Sequence, residues 1–110
     1  MEFLFEEYPE FKGEREMFEW MWEQLPHISM VSGLPLHPQG HFQWHWQFAH
    51  VLGAKGSVYS KWRLNPNNVW LMLPDEHHTF DNRGIDGRPE FEKLKNFREE
   101  MKHYYFNHVY

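Results

Sequence analysis

The chain has 110 residues, a formal net charge of −5 with its nine histidines neutral, 41% hydrophobic and 19% aromatic content, and no cysteine. That length holds one domain, read here as residues 1–110, and six Trp and ten Phe exclude a disordered chain, because they supply the apolar surface that offsets chain entropy. Without cysteine there is no disulfide framework or thiolate metal site, so any metal is held by His, Asp, Glu or Asn, and the negative balance excludes nucleic-acid binding through bulk positive charge.

The acidic start, Met1-Glu2-Phe3-Leu4-Phe5-Glu6-Glu7, has no apolar stretch of signal length, and no run approaches a membrane span, so a cytoplasmic protein with no membrane partner is expected. Residues 12–25 carry Met17, Phe18, Met21, Trp22 and Leu25 at helical spacing, with Glu14, Glu16, Glu19 and Glu23 on the rest of the wheel. This predicts an amphipathic helix stopped by Pro26. Residues 28–31 and the aromatic, β-branched residues 42–52 are predicted as two strands of a hairpin, separated by an irregular loop with Pro35, Pro38 and Gly40. Alternation along the second strand makes Trp44, Trp46 and Phe48 core residues rather than a stacking platform.

Residues 53–67, broken by glycines, lysines and Pro66, form a long loop, and loops of that length in a small domain are usually functional. A brief strand follows over residues 69–73. Pro74-Asp75-Glu76 is a helix start that carries His77 into the first turn, with acids facing the positive end of the dipole. After the break at residues 84–87, Pro89 opens a last helix with Phe91, Leu94, Phe97, Met101 and Tyr104 or Tyr105 on one face. The acids gather in residues 2–23 and 75–100. Residues 25–73 hold Lys55, Lys61 and Arg63 and no acid, which allows a local basic face.

Three polar residues punctuate this order, which reads as a β-hairpin followed by a helix: His50 on a strand, Asn68 where the next strand begins after the long loop, and His77 on the helix that follows. Phosphodiester hydrolysis at neutral pH needs a base to activate water and a divalent cation to stabilise developing charge. Neutral imidazole can take the proton, an amide oxygen can hold the ring's tautomer, and a second imidazole can hold the ion. The segments Phe48-Ala49-His50-Val51-Leu52-Gly53, Tyr59-Ser60-Lys61-Trp62-Arg63-Leu64-Asn65-Pro66-Asn67-Asn68-Val69 and Leu73-Pro74-Asp75-Glu76-His77-His78 resemble the signature of the HNH, or ββα-metal, endonucleases. Upstream, Pro26-His27-Ile28-Ser29 and Ser32-Gly33 are also similar to small phage and bacterial members.

The resemblance implies an α+β fold with a ββα-metal core, a β-hairpin followed by a helix, flanked by N- and C-terminal helices. It implies a DNA endonuclease in which His50 is the general base, Asn68 orients it and His77 holds the metal. Lys55, Lys61 and Arg63 lie in the loop where the substrate backbone would pass and are the candidate nucleic-acid contacts. Two positions depart from the family pattern. Ala49 stands where many members have a metal ligand, with His41, His45 and His78 as open substitutes, and Asp81 stands where zinc-binding members have a third histidine. An aspartate oxygen suits one Mg2+ or Mn2+ better than Zn2+ or Ni2+. So small a chain is expected to rely on a homodimer or a targeting partner protein, in the host cytoplasm if phage-encoded. The alternatives are a catalytically degenerate HNH-like module acting through protein binding, and a structural metal-binding domain.

Overall fold

The computed structural model describes residues 1–54 and 56–110. In chain order it contains helix α1 (Glu14–Gln24), strand β1 (Phe48–His50), strand β2 (Val69–Leu71), helix α2 (Pro74–Asp81) and helix α3 (Glu92–His108), with single 3-10 turns at Trp44–Gln47, Ser60–Trp62, Pro66–Asn68 and Pro89–Phe91. The class is α+β, with an antiparallel two-stranded hairpin leading into a helix. No helix among the described residues is long and apolar enough to cross a membrane.

The three helices form where the 3.6-residue pattern and the turn chemistry agree. α1 buries Met17, Met21 and Trp22, and its last turn stops at Leu25, whose extended backbone is what a following proline demands. α2 starts with Pro74 in its first turn, and the Glu76 carboxylate accepts the Leu73 N–H at 2.7 Å, satisfying a donor that the helix leaves unpaired. The Ser29 hydroxyl donates to the same carboxylate at 2.6 Å, so the start of α2 is pinned to the loop after α1. α3 buries Leu94, Met101 and Tyr105; of the two tyrosines at the end of its apolar stripe, Tyr105 is the core residue.

β1 and β2 pair in the register Phe48 with Leu71, Ala49 with Trp70 and His50 with Val69. The pairing continues at both ends through Met72 N to Gln47 O at 2.9 Å and Val51 N to Asn68 O at 2.8 Å. Successive strand residues point to opposite faces, so this hairpin divides the core. Phe48, Val69 and Leu71 pack with Met17, Met21, Trp22 and Trp44 on the α1 side. Ala49, Trp70 and Met72 pack with Phe80, Phe91 and Leu94 on the other. A third cluster joins Leu52 and Trp62 to Met101 and Tyr105 of α3.

Of the two hairpins read from the sequence, the one joining the His50 strand to the strand after Asn68 forms, and the pairing of residues 28–31 with residues 42–52 does not. Ile28 makes only an isolated bridge to Pro35, within a tight turn closed by Gly33 N to Ser29 O at 2.8 Å, where Gly33 has φ 77. Residues 44–47 wind into a 3-10 turn, and only residues 48–50 are extended. The reason is burial: β2 offers apolar residues to both faces of β1, and Met30 N reaches the far edge of β2 at Leu71 O, 2.8 Å. The turn also breaks the expected alternation. Trp44 and Phe48 are core, as expected, but Trp46 is 48% exposed.

Candidate functional site

His50 ends β1 on the same face as Phe48, half-buried, with its ring 6.4 Å from that of Phe18. Its Nε2 lies 2.9 Å from the Arg63 carbonyl. A carbonyl oxygen only accepts, so Nε2 carries the hydrogen and Nδ1 the lone pair. The Arg63 guanidinium in turn meets the Glu14 carboxylate at 3.6 Å, tying the loop that holds His50 to the start of α1.

Asn68 is fully buried and does not touch the His50 ring. Its Oδ1 accepts Leu52 N–H at 2.9 Å, and its Nδ2 donates to Leu52 O at 3.0 Å and Trp62 O at 3.4 Å. The expected contact from Asn68 to His50 is therefore made by the Arg63 carbonyl. Asn68 acts one step back: it fastens the chain two residues after His50 to the chain one residue before Arg63. An amide is suited to this because it presents a donor and an acceptor to one peptide segment at once.

His77 sits in the first half of α2 with Nδ1 2.6 Å from the Trp46 carbonyl, which places the hydrogen on Nδ1. Its Nε2 is 3.2 Å from Asp81 Oδ2, one helical turn on. With the ring neutral, two lone pairs face each other. Bonds of about 2.1 Å at angles between octahedral and tetrahedral put neighbouring ligands of a small divalent cation about 3.0–3.4 Å apart, a range that includes this spacing. A protonated His77 would also satisfy it, as an ion pair. Among the described residues no group of three or more His, Cys, Asp or Glu side chains is arranged to hold a metal ion, so this pair would need other oxygens, from water or substrate, to complete a shell.

His50, His77 and Asp81 line one open cleft of about 300 Å3, with Glu14, Phe48, Gly53 and Ala54. The three substitutes for a ligand at position 49 do not line it. His41 and His45 line a neighbouring groove against α1, and His78 packs on Asn82. Ala49 itself is buried on the opposite face of the hairpin. Lys61 donates to the Val109 carbonyl at 3.2 Å, at the end of α3, whereas Arg63 adjoins the cleft through Glu14. Lys55 lies outside the described residues. Glu14 is the cleft residue that sequence reasoning missed: it is one of several glutamates on a solvated helix face, and nothing local distinguishes it.

No family model, curated protein or solved structure matches the chain.

Proposed function

We propose that this chain is a metal-dependent endonuclease of the ββα type that hydrolyses phosphodiester bonds of DNA. The observation that carries the reading is a pair of imidazoles held by backbone carbonyls at one cleft, His50 with its lone pair on Nδ1 and His77 with its lone pair beside Asp81. His50 takes the proton of a water as that water attacks phosphorus, and the phosphorus–oxygen bond on the far side breaks. The Arg63 carbonyl stabilises the imidazolium that results, because Nε2–H already donates to it. His77 and Asp81 would hold one divalent cation, with Mg2+ and Mn2+ favoured by the carboxylate. When bound, that cation stabilises the charge developing on the phosphate.

Nicking of supercoiled plasmid in Mg2+, Mn2+, Ni2+ or Zn2+ tests this. Wild type should cleave in at least one metal, and His50→Ala should be slower by about 100- to 10,000-fold, the usual worth of a general base. No cleavage in any metal would move the assignment to a catalytically degenerate module that binds a protein partner. The net charge of −5 and the two-residue ligand pair favour that second reading.

A further inference from the structure

The 3-10 turn Trp44–Gln47 and the loop before it hold a run of rings in water. His37 and His41 lie parallel, with centroids 4.2 Å apart and planes 8° apart, and Phe42 stacks on His41 at 4.7 Å and 24°. Trp46 meets Phe42 edge-on at 6.3 Å, and His45 meets Trp46 at 5.3 Å. Phe42 is 72% exposed, an exposure that the hydrophobic effect opposes.

These rings stand on an organised backbone. His41 N donates to Pro38 O at 3.0 Å, Trp44 N to His41 O at 3.0 Å, and Trp46 N to Gln43 O at 3.1 Å. Gln43 N donates to His41 Nδ1 at 3.1 Å, which leaves the hydrogen of that ring on Nε2. Buried Gln47 clamps the backbone of His37 on both sides, accepting from its N–H at 2.7 Å and donating to its carbonyl at 3.1 Å. The arrangement is thus preorganised, and ordering it costs a ligand little.

Two neighbouring features indicate what covers the rings. No Asp or Glu occurs from residue 24 to residue 74, so the segment presenting them carries no carboxylate of its own to repel a phosphate. The turn also adjoins the proposed active cleft, because the Trp46 carbonyl is the acceptor that holds His77. The groove toward α1, which His41 and His45 also line, carries Glu14, Arg15 and Glu19, with Arg15 paired to Glu19 at 3.1 Å, so a strand would have to lie on the far side of the rings, toward Phe42 and Trp46. A second copy of this acidic chain would gain less there than a strand of bases, each of which has a face to stack.

We infer that Phe42 and Trp46, backed by His37 and His41, form a stacking platform for unpaired bases of a single-stranded DNA segment that enters the cleft. The inference rests on the nuclease reading for what happens in the cleft, but the binding it describes is measurable without catalysis. The test is fluorescence anisotropy of a short labelled oligothymidylate and of a duplex of the same length, in EDTA. It compares wild type, Phe42→Ala, Trp46→Ala and the double variant, with the melting temperature of each recorded.

The single strand should bind more tightly than the duplex, and each alanine should weaken it by about tenfold, the effect of losing one base–ring stack. Preference for duplex, equal binding by all four proteins, or no binding by wild type would overturn the inference. So would a Phe42→Ala effect confined to sedimentation behaviour, which would make the face a contact between copies. Oligonucleotide binding that depends on these rings, without cleavage in any metal, would keep the platform and remove the nuclease. Cleavage indifferent to both rings would do the reverse.

Discussion

Asn68 shows how a side chain can serve a site that it does not touch. Its three hydrogen bonds to Leu52 and Trp62 close the long connection between β1 and β2 onto itself, and that closure sets where the Arg63 carbonyl lies under His50. Asn68→Ala leaves the buried Leu52 N–H without its partner, at a cost of about 1–3 kcal/mol. Urea denaturation should therefore show a lower midpoint, and plasmid nicking should fall with it although the His50 ring is intact; a variant as stable and active as wild type would remove this role. Asp81→Asn tests the other side of the cleft. It keeps the side chain's shape and one oxygen but removes the charge opposite His77 Nε2. The Mn2+ concentration for half-maximal cleavage should rise at least about tenfold, since even groups that only support metal ligands are worth about 10- to 100-fold. An unchanged metal requirement would place the ion elsewhere.

The short helix α2 depends on one carboxylate for its position. Glu76 accepts from Leu73 N–H and from the Ser29 hydroxyl, joining the helix start to the turn after α1. Glu76→Ala removes a charge-assisted acceptor from both donors, and each such bond is worth about 1.5–3 kcal/mol. The melting temperature should drop by several degrees for each kcal/mol lost in a domain of this size. Because His77 follows immediately, the metal requirement should rise as well. In a double-mutant cycle with Ser29→Ala, the two losses should not add, as expected for groups that share a bond. Additive losses would mean that the two act independently. α1 has a comparable double role: Met17 and Met21 anchor it to the hairpin, and that docking brings Glu14 to the cleft and to Arg63.

Across the molecule, the hairpin works as a partition. Each strand sends alternate residues to an α1-side cluster and to a cluster under α2 and α3, and the candidate site lies where the partition meets the start of α1 and the His77–Asp81 turn of α2. Charge over the surface limits how such a site could hold DNA. If the three cations of the acid-free stretch, Lys55, Lys61 and Arg63, supply the phosphate contacts, the logarithm of duplex affinity should fall against the logarithm of salt with a slope no steeper than about −2.7. Anisotropy titrations between low and moderate salt measure this; a steeper slope would reveal another cationic surface. Stacking on exposed rings depends less on salt than phosphate contacts do, so an acidic protein of this kind gains more from binding unpaired bases than from binding a duplex backbone.

The amino-acid order was enough to locate α1, α2 and α3, because helical spacing, Pro26, Pro74 and Pro89 act within a few residues. It also made legible the succession of His50, Asn68 and His77 on strand, connection and helix. It offered two partners for β1, residues 28–31 and the strand after Asn68, and could not choose between them, because pairing depends on which distant apolar faces can be buried together, and residues 69–71 cover both sides of β1 where residues 28–31 do not. Packing likewise exposed Trp46, carried Glu14 to the cleft, and gave the orienting bond of His50 to a carbonyl thirteen residues away. A backbone carbonyl has no residue type to recognise in a sequence, so its contacts are legible only once the chain has folded.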